Sequence, residues 1–485
     1  MQMAVLPSGK GRSIMKHHRL EYDLAVVGAG PAGLAAAITA ARMGRRVVLV
    51  ERSGCLGGAL ALGISPLGML DKKGRKIVSG FAEEFFGRLQ ARGDCLGTDA
   101  CPKHNSVTGI NAEGVKRLAI EMCREAGADI LLHCEVLKAA VQGRRIDSVD
   151  VYGKGNIIHV KAEQYIDCTG DGDLAYLAGC SYEKGREDDG TLQPPTMVYT
   201  LQGVNQERLF DYVENHPEEL RYHDRAIYEN PDYTAEHFRM RPSHVFVGLQ
   251  ATFRRLKAEG RLPVERESLI CINGTHSGEV YINATRLLRT DATDILALSR
   301  AVLDGTLQAF ELTELLREHI PGFEHCYVSS VAPSLGIRET RRLKGIRYVT
   351  GQEAKAGLVP PDSICLSGYK IDIHSGTDTG LLFTDIEEPF GIPFGCLVSA
   401  EIDNLMMAGR CISCDETAYG SLRVIPCCLA MGQAAAVGAW VAAKYRTLPA
   451  EADIEEIRAI LLEQNAILSM PGGEEEVREQ SPTLG

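Results

Sequence analysis

The fold of this chain can be recognised from residues 22–51, YDLAVVGAGPAGLAAAITAARMGRRVVLVE. Two short apolar runs, residues 24–27 and 47–50, are typical of buried strands. Between them lie a glycine-rich turn and a run of small apolar residues that ends at Gly44, as a helix commonly does. The stretch therefore predicts a strand, a turn, a helix and a second strand, closed by the acidic residue Glu51.

The turn carries the glycine spacing of a dinucleotide site. Gly28 allows the tight turn, Gly30 lets a pyrophosphate approach the backbone, and Gly33 lets helix and strand pack closely. Free N–H groups at the start of the helix then face the phosphates. Glu51 lies 23 residues after Gly28, close to the spacing at which an acid binds a ribose hydroxyl. The complete unit predicts a bound dinucleotide.

This stretch has two alternative interpretations. One is a glycine-rich turn in an unrelated α/β protein, which the full order of strand, turn, helix, strand and acid disfavours. The other is a transmembrane helix over the apolar residues 24–41. Pro31, three glycines and a charge-rich continuation argue against a membrane span.

The composition is that of a globular protein. The chain has 485 residues, of which 45% are apolar and 24% charged, enough for two or three domains. Its net charge of −12 makes a nucleic acid or an anionic membrane an unfavourable partner. Fifteen cysteines without a framework predict reduced, mostly buried thiols. Residues 1–20 have no signal-peptide core, so a flexible leader and a cytoplasmic location are expected.

Further motifs along the chain indicate a protein family. They are VVGAGPAGLAAAITAARMG (26–44), DCTGDGDLA (167–175), LGIRETRRLKG (335–345), IDIH (371–374), GIPFGCLV (391–398), NLMMAGRCIS (404–413) and SLRVIPCCLAMGQAAA (421–436). On these motifs the chain resembles the FAD-dependent oxidoreductases of the glutathione-reductase superfamily, on the branch nearer fumarate reductases and HdrA-like flavoproteins. The set is specific for a family and for no substrate.

The resemblance implies an α/β fold with an FAD-binding, Rossmann-like doubly wound domain. This domain has three layers (ββα) and holds an inserted α+β substrate or cap domain. The expected segments are a leader (1–20), a first FAD-binding segment (21–195), the cap (196–395), an FAD-binding return segment (396–447), and a C-terminal helix and tail (448–485).

The resemblance also implies FAD as a non-covalent cofactor and a set of residues that hold it. Glu51 and the turn glycines would bind the ADP half, residues 57–58 would lie by the flavin, and residues 421–424 near its pyrimidine end. The set is Gly28, Gly30, Pro31, Ala32, Gly33, Glu51, Arg52, Gly57, Gly58, Thr169, Gly170, Asp171, Gly409, Arg410, Ser421, Arg423 and Val424. A purely structural role for Arg423 stays open.

Two groups are candidates for catalysis. Asp372 and His374 alternate, so on a strand both would lie on one face, and a histidine oriented by an acid suits general acid/base work. Arg338, Arg341 and Arg342 form a basic cluster that could clamp a carboxylate or relay a proton. A structural histidine and an ion-paired arginine cluster between domains are the alternatives.

The cysteines and the missing motifs limit the chemistry. Cys411 and Cys414 form a C-x-x-C that could exchange electrons with FAD. No second C-x-x-C is present, so no four-thiolate metal site is specified and no metal is expected. No second G-x-G-x-x-G follows a strand, so no separate NAD(P)H domain is expected. Electrons would then pass to a second substrate, a quinone, a partner protein or oxygen.

The favoured function is hydride transfer between N5 of FAD and a small organic substrate that bears a carboxylate or a hydroxyl. The alternative is an FAD-containing electron-transfer subunit of a larger redox complex. A thiazole-synthase-like protein that consumes its dinucleotide is disfavoured by the long cap region. A homo-oligomer and a redox partner protein are both compatible with the sequence.

Overall fold

The computed structural model of the chain describes the backbone of residues 4–5 and the whole of residues 15–220 and 232–470. The acidic tail predicted from Pro471 and most of the predicted leader lie outside these ranges. Within them the strands, in chain order, are β1 (Ala4–Val5), β2 (Lys16–Val27), β3 (Val47–Val50), β4 (Cys95–Cys101), β5 (Asn105–Ile110), β6 (Asp129–Leu131), β7 (Glu135–Gln142), β8 (Arg145–Gly153), β9 (Asn156–Asp167), β10 (Tyr182–Lys184), β11 (Tyr199–Gln202), β12 (Val245–Gly248), β13 (Leu269–Asn273), β14 (Val280–Ile282), β15 (Tyr327–Val331), β16 (Arg341–Leu343), β17 (Ser363–Ser367), β18 (Ile371–His374), β19 (Leu381–Thr384), β20 (Phe390–Pro393) and β21 (Leu405–Met407).

Helices cover these strands. Within the same ranges the α-helices are α1 (Pro31–Arg42), α2 (Phe81–Gln90), α3 (Ala112–Ala126), α4 (Asp173–Leu177), α5 (Gln206–Asn215), α6 (Ala235–Met240), α7 (Gln250–Ala258), α8 (Ile295–His319), α9 (Gly351–Lys355), α10 (Glu416–Leu422), α11 (Ile425–Tyr445) and α12 (Ile454–Glu463). The sequence predicts Asn111 as the N-cap of α3, and this is confirmed, because its side chain accepts from the N–H groups of Glu113 and Gly114.

The main sheet is parallel at its centre, as the doubly wound fold class predicts. Its strand order is β6-β3-β2-β9-β8-β7, and β21 also pairs with β9. The strands β6, β3, β2, β9 and β21 run parallel, whereas β7, β8 and β9 form an antiparallel ribbon. The carboxyl ends of β2, β3 and β9 therefore meet at one edge, where α/β proteins bind nucleotides.

Apolar side chains divide the nucleotide-binding half into layers. One face of the sheet packs on α1, α2, α3, α11 and α12 in a large core of buried residues. The opposite face packs on the β7–β8 ribbon and α4 in a second core. This arrangement of helices, parallel sheet and antiparallel ribbon confirms the predicted three-layer α/β fold.

A second sheet builds the inserted region. Its antiparallel order is β12-β13-β14-β11-β15, and it shares a core with α5, α6, α7 and the buried face of α8. Residues 349–395, which the sequence prediction assigned to the cap, contribute Val349, Leu366 and Phe394 to the core of the helix layer instead. The predicted domain boundaries stay a prediction.

Two elements differ from the sequence prediction. The first strand begins at Lys16 and not near residue 24, because it pairs along its whole length with β9. Residues 16–20 therefore belong to the sheet and not to a leader. The sequence also predicts that the helical segment 291–317 breaks near Asp304 and Gly305, but α8 is continuous there. Gly305 lies where a Cβ would contact Met197 at 2.9 Å, so close packing explains this glycine.

Helices α1 and α11 approach each other closely at Gly432. A Cβ on this residue would lie 2.0 Å from the carbonyl oxygen of Ala32. The Gly432→Ala variant should therefore lower the free energy of unfolding by about 1–3 kcal/mol, the usual cost of overpacking. Denaturant titration followed by circular dichroism measures this effect.

The matched control is Gly87→Ala on α2, where a Cβ would meet nothing within 4 Å. Because alanine costs less backbone entropy than glycine in a helix, this variant should gain about 0.5–1 kcal/mol. Equal stability of the two variants would contradict the role given to the α1–α11 contact.

Candidate active site

A cavity of about 460 Å³ runs from the glycine turn to the inserted sheet. The turn and Glu51 line one end. The start of α11, residues 333–338, β12, β13 and the strand β18 line the other end. The cavity thus joins the dinucleotide edge of the sheet to the candidate catalytic pair.

At the first end, Glu51 holds the turn in place. Its carboxylate accepts from the N–H of Ala29 at 2.7 Å and from the N–H of Ser53 at 2.8 Å. Gly28 adopts φ +94°, and a Cβ there would lie 2.4 Å from the Cys168 carbonyl oxygen. Glu51 keeps lone pairs that face the cavity, so its position suits a ribose hydroxyl.

A buried ion pair stands beside the turn. Arg410 Nη2 donates to Asp171 Oδ1 at 2.9 Å, and Arg52 lies 3.5 Å from the same carboxylate. Burial opposes ionisation of Asp171, but Arg410 and Arg52 hold its pKa below the ordinary value. Among the described residues, the buried Arg410 Nη1 has no hydrogen-bond partner within 3.5 Å, and it is a donor ready for an anion.

The remaining surroundings fit a dinucleotide. A Cβ on Gly30 would meet nothing within 4 Å, so this residue opens to the cavity. No side chain caps the N-terminus of α1 or of α11. Free N–H groups at two helix starts favour negative charge. With Arg410, they form a donor set that matches a pyrophosphate and an electron-rich ring.

The structure brings most of the predicted cofactor residues to this cavity. Those that line it are Gly28, Gly30, Pro31, Ala32, Glu51, Arg52, Gly58, Thr169, Gly170, Gly409, Arg410, Arg423 and Val424. The predicted residues outside its lining are Gly33, Gly57, Asp171 and Ser421.

Each residue outside the lining has a structural contact. Gly33 packs α1 on the turn, where a Cβ would lie 1.7 Å from the Gly28 carbonyl oxygen. Gly57 donates its N–H to the Ala29 carbonyl at 2.8 Å. Ser421 donates to the Tyr369 carbonyl at 2.6 Å. These residues shape the site from behind.

At the second end, Asp372 and His374 lie on one face of β18, as their alternation predicts. His374 Nε2 is 3.1 Å from Asp372 Oδ1. Arg423 Nη2 donates to the Asp372 carbonyl oxygen at 2.7 Å and lies 3.4 Å from its carboxylate. Both the acid and the histidine line the cavity.

At neutral pH, Asp372 is ionised and His374 is neutral. Burial lowers the pKa of His374 to about 3, against the opposing effect of Asp372. Burial opposes ionisation of Asp372, but His374 and Arg423 hold its pKa well below the ordinary value. An ionised carboxylate only accepts, so His374 Nε2 carries the proton and Nδ1 is the acceptor. Within the described ranges this buried Nδ1 has no hydrogen-bond partner.

Guanidinium groups surround this pair. Arg266, Arg286, Arg338 and Arg423 all line the cavity. Burial and the charges of Arg266, Arg423 and Arg286 lower the pKa of Arg338 well below its ordinary value. Arg338 Nη1 also donates to the Pro194 carbonyl at 2.6 Å. Buried positive charges so close together favour an anionic ligand.

The rest of the predicted arginine cluster lies elsewhere. Arg341 does not line the cavity; it lies behind the cofactor end, where Nη1 donates to Asp173 at 2.9 Å and the guanidinium covers the ring of Tyr176. Arg342 forms a buried ion pair with Glu339. Of the three arginines in the predicted cluster, Arg338 is the one that lines the cavity. The alternative of a structural cluster describes Arg341 and Arg342 well.

Sequence reasoning missed four basic residues that line the cavity, namely Lys103, His104, Arg266 and Arg286. Lys103 and His104 lie in the β4–β5 turn, Arg266 precedes β13, and Arg286 follows β14. No common motif contains them. Burial lowers the pKa of Lys103 to about 7, and burial together with Lys103 lowers that of His104 to about 3. Arg286 Nη2 donates to the Ser375 carbonyl oxygen at 2.7 Å and so holds the β18–β19 turn.

The cysteines are thiols in apolar surroundings. All fifteen lie in the described ranges and are free, and Cys411 and Cys414 are buried. Burial raises the pKa of both thiols well above the ordinary value, which disfavours the reactive thiolate. Among the described residues, no group of three or more His, Cys, Asp or Glu side chains could hold a metal ion.

Helix α11 is long and apolar enough to cross a bilayer, but 89% of its apolar window is buried inside the protein. It packs on α1, α2, α12 and β17. These surroundings are those of a core helix.

Fold and cavity together define a dinucleotide-binding α/β oxidoreductase. The model of the FAD-dependent oxidoreductase family matches residues 23–461. The chain belongs to this family, and its cofactor is FAD. The assignment to the fumarate-reductase and HdrA-like branch stays a prediction.

The chain is similar to one curated protein in sequence and to solved structures in fold. A thiamine thiazole synthase of Aeropyrum pernix is 55% identical over 51 residues, which are 10% of this chain and 18% of that protein. The chain thus matches about a fifth of the length of this curated relative. A geranylgeranyl bacteriochlorophyll reductase-like structure of Thermoplasma acidophilum has a TM-score of 0.43 at 12% identity, covering 95% of this chain and 84% of that one. The Thermovibrio ammonificans THI4 structure has a TM-score of 0.26 at 20% identity, with 35% and 67% covered.

Replacing Glu51 by arginine should weaken FAD binding by about 10- to 100-fold, because the ribose hydroxyl loses a charged acceptor worth about 1.5–3 kcal/mol. Glu51→Gln, which keeps one acceptor, should fall between this variant and the wild type. Flavin absorbance per protein and fluorescence titration of the apoprotein measure the effect.

The control for this prediction is Glu135→Arg, at an exposed position on β7. It makes the same charge change away from the cavity and should keep its flavin. Unchanged flavin content in folded Glu51→Arg would mean that Glu51 only ends a strand.

Proposed function

We propose that this enzyme transfers a hydride between FAD and a small organic anion that bears a carboxylate, with His374 as the proton-transfer group. The observation that carries the proposal is a single cavity in which the dinucleotide end adjoins a neutral, carboxylate-oriented histidine and four arginines. When bound, FAD supplies a hydride acceptor or donor at its N5 atom.

The arginines would bind and orient the substrate. A guanidinium group matches a carboxylate in bidentate fashion, and the buried charge of Arg338 is otherwise incompletely compensated. Arg423 and Arg286 also hold the backbone of β18 and its turn. A substrate carboxylate on these groups would therefore lie at a fixed position relative to His374.

His374 would handle the proton. Its Nδ1 is an acceptor with a free lone pair, because Nε2 donates to the ionised Asp372. For a hydroxyl-bearing substrate, the hydroxyl proton would pass to Nδ1 as the hydride leaves the carbon that bears this hydroxyl. Asp372 would keep the imidazole in this tautomer and stabilise the imidazolium that forms.

His374→Ala and Asp372→Asn should each lower turnover by about 100-fold or more, while the flavin spectrum stays intact. Anaerobic photoreduction of the purified protein, followed by a screen of oxidised and reduced small acids for flavin reoxidation or bleaching, provides the assay. Full activity of both variants would move the proton transfer elsewhere. Loss of flavin would give the pair a structural role only.

Small carboxylates such as acetate and oxalate should perturb the flavin absorption spectrum by binding beside it. Arg338→Gln should weaken this binding by about 10-fold or more, because a charge-assisted hydrogen bond is worth about 1.5–3 kcal/mol. The control is Arg347→Gln, an exposed arginine paired with Glu353, which should bind as the wild type does. Equal affinities in both variants would contradict an anionic substrate.

The same assays address the alternative of an electron-transfer subunit. A subunit that only conducts electrons would exchange them with a redox protein and with no small acid.

The free and buried thiols also support the proposal of a cytoplasmic location, since disulfides are rare there. Cell fractionation tests this location, and recovery from an oxidising compartment would contradict it.

A further inference from the structure

Helix α8 exposes large apolar side chains along one face. Their spacing of seven, four and three residues places them on the same side of the helix. The exposed fractions are 69% for Leu296, 64% for Leu303, 60% for Leu307 and 51% for Phe310. Single exposed leucines are normal, but a contiguous apolar row of this size marks an interaction surface.

The opposite face of α8 belongs to the core of the inserted region. Ala309, Leu312 and Leu316 are buried there. Gln308 Oε1 accepts from the N–H of Arg286 at 3.1 Å, and Arg286 lines the cavity. The exposed row is thus fixed on a rigid element directly behind the candidate active site.

We propose that this row is the interface of a homodimer, in which α8 of one copy packs antiparallel on α8 of a second copy about a twofold axis near Leu307. A twofold interface must be complementary to itself. Leu303 and Phe310 lie on either side of the axis, so each faces the other residue of the second copy. Leu307 packs on its own counterpart.

The charges on α8 support the same pairing. Arg300 lies seven residues before Leu307, and Glu314 lies seven residues after it, so an antiparallel pair places Arg300 of one copy opposite Glu314 of the other. Both are exposed. In the described part of the chain, Arg300 has no ion-pair partner, and Glu314 pairs only with its exposed helix neighbour Arg317 at 3.2 Å, a contact of little strength.

A bilayer surface is the competing occupant for an amphipathic helix. Asp304, Glu311 and Glu314 flank the apolar row and are exposed, and the chain has a net charge of −12. Anionic lipids repel such a surface. A second copy of this chain, unlike an anionic bilayer, places Arg300 opposite Glu314, so the charges on α8 favour a second copy.

Sedimentation of the FAD-loaded full-length protein at micromolar concentration tests the proposal. The wild type should have twice the chain mass. The double variant Leu303→Glu, Leu307→Glu should weaken the dimer by about 30-fold or more, as loss of a central hot spot does. Leu462→Glu on α12, where the side chain is 55% exposed, is the matched control and should stay dimeric.

A charge exchange tests the geometry of the pair. Arg300→Glu and Glu314→Arg should each weaken the dimer, and the double variant Arg300→Glu, Glu314→Arg should restore it, since the two sites couple across the interface. Flavin content reports the folding of every variant, and the charge variants keep the test valid if the leucine variants fold poorly.

Three results would overturn the proposal. The first is a monomeric wild type at micromolar concentration. The second is a dimer that both the leucine and the charge variants leave unchanged, which would place the interface elsewhere. The third is flotation of the wild type, but not of the leucine variant, with phosphatidylcholine–phosphatidylserine vesicles, which would make the row a membrane contact.

Discussion

Contacts between backbones, with no room for a Cβ, determine the nucleotide-binding half of this enzyme. A side chain on Gly33 would strike the carbonyl of Gly28, and one on Gly432 would strike the carbonyl of Ala32. A side chain on Gly58 would meet the Cα of Gly30 at 2.7 Å. The glycine turn, α1, α11 and the loop that contains Gly58 therefore meet at distances that only glycine allows. This contact sets where both helix N-termini point and so where the cofactor binds.

The cavity divides its charge between two ends. At the dinucleotide end, Asp171 compensates Arg410, and uncapped helix starts offer neutral donors. At the other end, arginines outnumber the acids, and burial together with neighbouring arginine charges strongly depresses the pKa of Arg338. A buried cation without full compensation is costly. An anionic substrate would relieve that cost, which links the electrostatics of the cavity to the proposed chemistry.

The inserted sheet gives this charged end its shape. Arg266 and Arg286 lie near the ends of β13 and β14, and α8 supports Arg286 from behind through Gln308. The solvent face of that same helix carries the apolar row. A dimer formed there would stabilise this wall of the cavity. The packing of two copies would thus help to hold Arg286 in place.

Sequence alone is enough to predict the strand–turn–helix–strand unit, the FAD-binding fold, the placement of Asp372 and His374 on one face of a strand, and most residues that line the cofactor end. These features depend on local spacing, because glycine turns, helix starts and strand alternation are written in neighbouring residues. The tertiary structure alone decided that Arg338 reaches the cavity while Arg341 packs behind it. It also decided that Lys103, His104, Arg266 and Arg286 join the site, since contacts between distant segments leave no periodic signal along the chain.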